Sequence, residues 1–316
     1  MRHKIFLFFL MLISINGISQ SIFHRWFNHP FTACDTNYIQ PDPDHWSLRL
    51  NSTYKFNNYP CKFANSPISY TGKTSIGFGA GFSFRNFVAD VAVKTQPYHT
   101  TENVFINALK TDMVFSMYNH QHLIDGQAQF YDGYVFDPEF PGQPKVDSIP
   151  LKVRSFGLHY EYAFNFKRFS MTAAMVGNEI QKHSAGSFLF GGIANSTYFL
   201  NDTSSYTQAF HQLAPHGIFH TGVSAGYAYT LVLPAHMYVM CSATPAAQFA
   251  ITPNSDETRE RSWSVIGRTA IGINLNHIFA IASSVGTLQQ DMHRTTRIYF
   301  NNSFGRLRFV LGYRFY

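Results

Sequence analysis

The sequence has little charge and, after its first segment, no long hydrophobic run. Only 13% of its 316 residues are charged, and nothing beyond the start approaches the roughly 20 consecutive apolar residues of a membrane helix. A cell-envelope protein of this composition is either soluble after export or a β-barrel. The 24 basic and 18 acidic residues are spread along the chain, so no basic patch indicates a nucleic-acid partner.

Cysteine is also scarce. An odd total of three leaves at least one thiol unpaired. The residues before Cys34 weakly resemble a lipid-attachment site, but Arg25 and its polar neighbours separate Cys34 from the apolar run. Cys241 lies on the apolar face of a predicted strand, where we expect a small packing or lipid-facing residue.

The start of the chain is predicted to be a signal peptide, residues 1–19. Arg2 and Lys4 make its beginning basic, an apolar run covers 5–13, and the small residues Gly17 and Ser19 precede the expected cleavage site. An uncleaved anchor is the alternative. We expect the protein to reach the outer membrane, and we expect residues 20–44, which contain several prolines, to form a periplasmic N-terminal segment.

What the sequence has in abundance is aromatic residues, 17% of the total. At the end of the chain they alternate with basic residues, and this period of two predicts a strand. One face carries Leu307, Phe309, Leu311, Tyr313 and Phe315. The other face carries Arg306, Arg308, Val310, Gly312 and Arg314. A strand with lipid on its aromatic face and a polar lumen on its basic face fits this pattern.

The same alternation recurs from Trp46 onwards and predicts the fold. We expect an all-β protein whose residues 45–316 form a single transmembrane antiparallel β-barrel of about 12 strands, with about 14 as the alternative. A soluble β-sandwich is the competing fold. Strands are predicted at 103–109, 113–118 and 169–176, among others, whereas 186–200 allows either one or two strands. Residues 119–150 show no sustained alternation and contain four prolines, so they are predicted to form a large outer loop.

Several segments are similar to a known family. They are Asp35–Ile39, Gln181–Gly192, Gly226–Thr230, Gly305–Leu307 and Gly312–Phe315. Together they resemble the exported barrel family catalogued as domain of unknown function 4421, and the resemblance spans nearly the whole chain after the signal peptide. It implies an outer-membrane β-barrel of Gram-negative type. The family has no established activity, so the resemblance implies no functional residues.

The ending also resembles the signal by which the barrel-assembly machinery of the outer membrane recognises its clients. Gly312, Tyr313 and Phe315 supply the glycine and the spaced hydrophobic residues, although Tyr316 extends one residue further. We therefore expect two partners, the lipid bilayer and this machinery. A third partner, whose identity is unknown, would bind the predicted loop.

The alternation places a row of polar and charged side chains in the lumen. These candidates are Arg49, Lys55, Arg85, Asp90, Lys94, His159, Glu161, His220, Arg268, Arg308 and Arg314. The row contains more cations than anions, so it predicts either a polar filling with paired charges or a passive pore that favours small anionic solutes. A structural envelope protein and a surface-binding protein acting through residues 119–150 are the alternatives that need no pore.

An outer-membrane hydrolase is the enzymatic alternative. It would need a nucleophile, a base and an orienting acid at one place, and His159 and Glu161 share a face near several serines. Any polar lumen would show such a pair, so the signal is weak. His216 and His220 are four residues apart, about 13 Å on a strand, so they cannot share a metal unless the chain bends. We expect no enzyme, no metal and no cofactor.

The strand directions predict that Cys34 and Cys61 remain unpaired. Cys34 is expected on the periplasmic side and Cys61 on the outer side, a membrane thickness apart. Mass spectrometry of unreduced peptides should therefore find both cysteines free of a mutual disulfide. A Cys34–Cys61 bridge would contradict the predicted topology.

Overall fold

The structure is a computed structural model. It describes residues 34–41, 46–63, 66–72, 75–84, 87–95, 113–138, 146–200, 217–251, 260–292 and 299–315. Fifteen strands and one short helix make up the secondary structure of these residues. They are β1 (Ile39–Gln40), β2 (Trp46–Phe63), β3 (Ser66–Gly72), β4 (Ser75–Phe84), β5 (Phe87–Thr95), β6 (Met113–Asn119), β7 (His122–Pro138), β8 (Val146–Ala163), α1 (Met171–Met175), β9 (Ile180–Gln181), β10 (Ala185–Leu200), β11 (Ile218–Val232), β12 (Met237–Ile251), β13 (Glu260–Asn274), β14 (Ile278–Met292) and β15 (Tyr299–Phe315).

Twelve of these strands form a closed antiparallel ring. The order around the ring is β2, β4, β5, β6, β7, β8, β10, β11, β12, β13, β14 and β15, and β15 pairs again with β2 from Phe315↔Trp46 to Tyr299↔Lys62. β3 is a short extra strand that links the far parts of β2 and β7. The prediction of a transmembrane antiparallel barrel of about 12 strands is confirmed.

The wall of the barrel separates an apolar outer face from a polar inner face. Phe188, Leu50 and Phe309 point outwards with 69%, 67% and 62% of their surface exposed. Inward neighbours such as Arg49 and Arg268 are only 2% exposed. This alternation follows from the pleat, which turns successive side chains to opposite faces, and it produces the lipid-facing band of a transmembrane barrel.

The two ends of the barrel differ in the length of their connections. At one end, here called the short-turn end, neighbouring strands are separated by 85–86, 120–121, 233–236 and 275–277, and by the longer segment 164–184 between β8 and β10. At the opposite, long-loop end the strands are separated by 96–112, 139–145, 201–217, 252–259 and 293–298. Outer-membrane barrels have short turns in the periplasm and longer loops outside.

The prediction of a large loop at 119–150 is wrong. β7 begins at His122 and runs to Pro138, and β8 begins at Val146. The alternation is present in β7, with Leu123, Asp125 and Gln129 inside, but its outward face carries Gly126 and Ala128 and gives little hydrophobic contrast. Prolines at 138 and 150 lie within strands, so they do not mark a loop here.

Two further expectations around the middle of the chain change. Residues 186–200 lie on one strand, β10, which pairs with β8 and β11 along its length. The predicted strand 169–176 contains instead the short helix α1. Ser170 caps this helix, because its side chain accepts a hydrogen bond of 2.9 Å from the amide of Ala173. The predicted strand 103–109 lies outside the described residues.

The connection between β8 and β10 folds into the barrel. We call its buried part, residues 169–181, the plug. Phe169, Met171 and Val176 are at most 3% exposed, and they pack in one hydrophobic cluster with inward residues of β12, β13, β14 and β15. The plug therefore fills the lumen at the short-turn end.

Residues 34–40, here called the N-terminal clasp, close over the plug. β1 pairs with β9 at the end of the plug, and the amide of Asp35 donates a 2.8 Å hydrogen bond to the Lys167 carbonyl. Burial raises the pKa of the Cys34 thiol, and the negative charge of the Glu179 carboxylate raises it further. Cys61 lies in the far part of β2, towards the long-loop end, and Cys241 faces outwards.

Within the described part of the chain, no helix is long and apolar enough to cross a membrane.

The contact between Gly312 and Phe279 tests the packing of the short-turn end. A Cβ on Gly312 would lie 2.1 Å from Cζ of Phe279, which is fully buried. Gly312→Ala should therefore destabilise the barrel by about 1–3 kcal/mol, measured by urea unfolding after refolding in vitro. At Gly267 the nearest atom is 4.0 Å away, and Gly267→Ala is the matched control.

Phe279→Leu should restore part of the stability lost in Gly312→Ala, because it removes the clashing ring. Equal stability of the two glycine variants would contradict the packing described here.

Candidate functional site

Side chains of the barrel wall bind the backbone carbonyl groups of the plug. Arg314 donates from Nε to the Gly177 carbonyl at 2.9 Å, and a second nitrogen of its guanidinium binds the same oxygen. Arg49 Nη1 donates to the Val176 carbonyl at 3.1 Å, and Tyr238 Oη donates to the Ala174 carbonyl at 2.9 Å. These donors come from β15, β2 and β12, so the plug is held from several sides of the lumen.

A second set of contacts holds the polar side chains of the plug. The Glu179 carboxylate lies 2.6 Å from His120 Nε2, and it accepts a 2.5 Å hydrogen bond from Ser170 Oγ. Asn274 Nδ2 donates to the Glu179 carbonyl at 2.6 Å. Asn178 Oδ1 accepts from Ser83 Oγ at 2.7 Å. Buried polar groups therefore find partners here, as a stable interior requires.

Above the plug lies a first ionic centre around Asp90. Arg49 Nη2 donates to both carboxylate oxygens of Asp90 at 3.0 and 3.1 Å, and Arg308 binds the same carboxylate. Arg49 is paired with Gly81 on β4, and Gly81 is paired with Asp90 on β5. Because Gly81 has no side chain, Arg49 reaches across β4 to Asp90.

Arg268 is the hub of a second ionic centre. Its Nη2 lies 3.0 Å from Glu161 Oε2, 3.3 Å from Asp125 Oδ2 and 2.9 Å from His159 Nδ1. Thr244 Oγ1 donates to Glu161 at 2.9 Å. Each carboxylate therefore has a cation and a hydrogen-bond donor, because Asp125 also accepts from the hydroxyls of Tyr118 at 2.6 Å and Ser116 at 2.7 Å.

The surroundings of His159 determine its tautomer. Arginine only donates hydrogen bonds, so Nδ1 of His159 must accept from Arg268 and the ring hydrogen must be on Nε2. Nε2 lies 3.3 Å from Ser224 Oγ and 3.7 Å from Glu161 Oε1. A nitrogen that already carries a hydrogen cannot take a proton from Ser224. The arrangement therefore differs from a serine–histidine–acid triad.

The backbone around Ser224 leads to the same conclusion. Ser224 is the central residue of a Gly-x-Ser-x-Gly sequence, residues 222–226. In hydrolases this sequence forms a sharp turn between a strand and a helix, which exposes the serine hydroxyl. Here it lies in the middle of β11, and Ser224 is only 2% exposed. The sequence therefore does not form a nucleophile elbow.

A third pair lies closer to the long-loop end. His220 Nε2 is 3.1 Å from both oxygens of Asp291, and Gln289 Nε2 donates to Asp291 Oδ1 at 3.3 Å. All three side chains are buried. Polar side chains thus continue along the lumen beyond the two arginine centres.

Between the plug and this upper layer lies a cavity. The centres of water-sized molecules can occupy about 70 Å³ of it. Met175 and Val176 of the plug form its floor, and Arg268, Arg306 and Arg308 line its walls. Ile193, Ile266 and Val285 add an apolar wall. The cavity therefore combines cationic and apolar surfaces directly above the plug.

Most of the predicted lumenal residues point inwards. Those with buried or nearly buried side chains are Arg49, Lys55, Asp90, His159, Glu161, His220, Arg268, Arg308 and Arg314. The structure divides eight of them among the plug contacts, the two ionic centres and the His220 pair, whereas Lys55 Nζ lies 5.1 Å from the centroid of the Tyr131 ring. Lys94 lies on β5 opposite Gly77, and Arg85 lies outside the described residues.

Sequence reasoning missed four functional side chains. Asp125 and His120 lie in the segment predicted to be a loop, and Glu179 belongs to the unpredicted plug. The alternation places Arg306 on the inner face, but Arg306 is not among the candidates. The alternation of β7 was the signal that would have placed Asp125 inside.

The predicted assembly signal lies at the closing seam. Gly312 faces inwards against Phe279, whereas Tyr313 faces outwards with 47% of its surface exposed. Phe315 stacks on Trp46, with ring centroids 4.1 Å apart. Within the ranges that the structure describes, no three His, Cys, Asp or Glu side chains gather as metal ligands.

Together, the closed ring, the apolar outer face and the polar interior define a transmembrane β-barrel of the outer-membrane type. The chain belongs to the family described as domain of unknown function (DUF4421), which matches residues 33–315. The resemblance seen in the sequence is thus confirmed. A comparison with curated proteins found no match.

The chain is also similar to several solved structures. A bacterial polysaccharide outer membrane secretin is 9% identical, covers 87% of this chain and 99% of its own, and has a TM-score of 0.36. The outer membrane protease OmpT from Escherichia coli is 6% identical, with coverages of 86% and 97% and a TM-score of 0.32. The COG4313 outer membrane channel from Pseudomonas putida F1 is 7% identical, with coverages of 87% and 97% and a TM-score of 0.29. Likenesses this distant carry no functional information.

Arg268 provides a test of the second ionic centre. Arg268→Met would leave Glu161 and Asp125 without their cation, and breaking such a buried pair costs about 3–5 kcal/mol. We expect urea unfolding of the refolded protein to show a loss of this size. Arg261 lies on the same strand but is exposed, so Arg261→Met is the matched control.

Adding Glu161→Gln to Arg268→Met should recover part of the loss, because it removes one of the uncompensated charges. If Arg268→Met were as stable as Arg261→Met, the second ionic centre would not exist as described.

Proposed function

We propose that the protein is a gated passage through the outer membrane for small anionic solutes, and that the plug closes it at rest. The observation that carries the proposal is the binding of the plug backbone by side chains from several sides of the wall. Hydrogen bonds of this kind hold a segment in place without making it part of the wall. A segment so held can leave the lumen while the barrel stays closed on itself.

The length of the plug connection supports a gating role. The other connections at the short-turn end need only 2–4 residues, such as 85–86 and 233–236. Residues 164–184 join β8 to β10, which are direct neighbours in the ring. A long inward connection is therefore not needed to build the wall, and its effect is to close the lumen.

The plug is also linked to the charged cavity. Arg49 binds the Val176 carbonyl with one nitrogen and Asp90 with another, and Asp90 in turn binds Arg308. A change at the cavity can thus reach the plug through two ion pairs. This continuous set of contacts favours a gate that responds to the lumen over a purely structural barrel.

Solute selectivity follows from the charge of the lumen. Arg49, Arg268, Arg306 and Arg308 lie near three carboxylates, Asp90, Asp125 and Glu161. The excess of positive charge attracts anions and repels cations. A passive pore that is always open is less compatible with this structure, because the plug occupies the lumen at the short-turn end.

A surface-binding role and a hydrolase receive less support. Surface binding would act through residues 119–150, which are largely wall strands. A hydrolase would need a base beside Ser224, and the tautomer of His159 gives it none. The proposal therefore contains no catalytic step, cofactor or metal.

The proposed location is the outer membrane, with the short-turn end in the periplasm. Cleavage of residues 1–19 remains a prediction, since they lie outside the described residues. Insertion through the barrel-assembly machinery, guided by Gly312, Tyr313 and Phe315, is part of the same proposal.

Conductance in a planar lipid bilayer tests the gate. We expect no steady steps from the refolded protein without its signal peptide. A variant in which residues 169–181 are replaced by a glycine-serine segment of equal length should give steady steps with anion preference in a salt gradient. Heat-dependent gel migration confirms that each variant is folded.

A milder variant, Gly177→Val, provides a second way to loosen the plug. Gly177 has φ +82°, and a Cβ there would lie 2.5 Å from the Phe279 ring. Gly267→Ala is the matched control and should give no steady conductance steps. Steady steps from the folded wild type, or silence from a folded glycine-serine variant, would contradict the proposal.

A further inference from the structure

Arg306 is a partly buried arginine that, among the described residues, has no carboxylate as an ion-pair partner of its own. It lies on the inner face of β15 and lines the cavity above the plug. In the part of the chain that the structure describes, it makes no ion pair, and its Nη1 is buried without a hydrogen-bond partner. Its direct neighbour across the β2–β15 pair is Lys55, which has the same charge.

The surrounding carboxylates are already engaged. Asp90 binds Arg49 and Arg308, and Asp125 and Glu161 both bind Arg268. None of these three carboxylates forms an ion pair with Arg306. Among the described residues that line the cavity and their ion-pair partners, the four arginines Arg49, Arg268, Arg306 and Arg308 therefore exceed the three carboxylates by one charge.

An uncompensated charge away from water is unfavourable, and a bound counter-ion relieves it. Arg268 adds a second donor, because its Nη1 is likewise buried without a hydrogen-bond partner in the described residues. Guanidinium groups match the planar, two-oxygen geometry of a carboxylate. The apolar wall of Ile193, Ile266 and Val285 lies in the same cavity.

We infer that the cavity binds a small organic monocarboxylate, with its carboxylate on Arg306 and its apolar body against Ile193, Ile266 and Val285. The single excess charge selects a monoanion, and the apolar wall selects an organic body over an inorganic ion. This inference rests on the proposed function, since it names the class of solute that the passage would accept.

Benzoate is a suitable probe, and benzamide is its neutral analogue of equal shape. Equilibrium dialysis of the refolded wild type in a neutral detergent should show saturable binding of benzoate. Losing the charge-assisted contact should weaken binding at least about tenfold, both for benzamide and for Arg306→Gln. Arg261→Gln, which changes an exposed arginine on β13, should bind benzoate like the wild type.

Thermal unfolding provides a second measurement that does not depend on the affinity of the variant. Without anion, Arg306→Gln should unfold at a higher temperature than the wild type, because it removes an uncompensated charge. Benzoate should raise the unfolding temperature of the wild type and leave that of Arg306→Gln unchanged.

Three results would overturn the site. They are equal binding of benzoate and benzamide, unchanged benzoate binding by a folded Arg306→Gln variant, and displacement of benzoate by inorganic phosphate at equal concentration. The last result would indicate an unspecific anion site. Failure of the site is separable from failure of the gate, because dialysis requires no conduction and the plug variants can be recorded in simple salt.

Discussion

The pairing of β15 with β2 is the constraint on which the rest of the structure depends. A sheet in lipid has no water to satisfy an open edge, so the ring must close. Closure fixes the two faces of every strand, because a shift by one residue would turn each side chain to the other side. The aromatic residues then face lipid, and the arginines and carboxylates have no place other than the lumen.

The closed ring leaves an interior that must be filled. Twelve strands enclose more space than the side chains of a small barrel can occupy, and this chain fills the short-turn end with its own connection between β8 and β10. Arg314, Tyr238 and Arg49 satisfy carbonyl groups of that connection. These hydrogen bonds therefore stabilise the state in which the plug fills the lumen, because without the plug the buried donors would lose their partners.

Much of this architecture could be predicted from the sequence, because alternation is a local property. The last strand showed both faces clearly, and the inward positions of Arg49, Glu161 and Arg268 followed from the same pattern. β7 was not predicted from the sequence, because small and polar residues lie on both of its faces. The plug was not predicted for a different reason. Its residues are apolar enough to resemble a strand, and only the finished barrel decides that they fold inwards.

Amide hydrogen exchange of the refolded protein in lipid nanodiscs tests directly whether residues 169–181 are packed inside the closed barrel. Peptides covering this segment should exchange as slowly as those of β12 and β13. Exchange within seconds, in a protein whose wall strands remain protected, would show that the plug does not occupy the lumen.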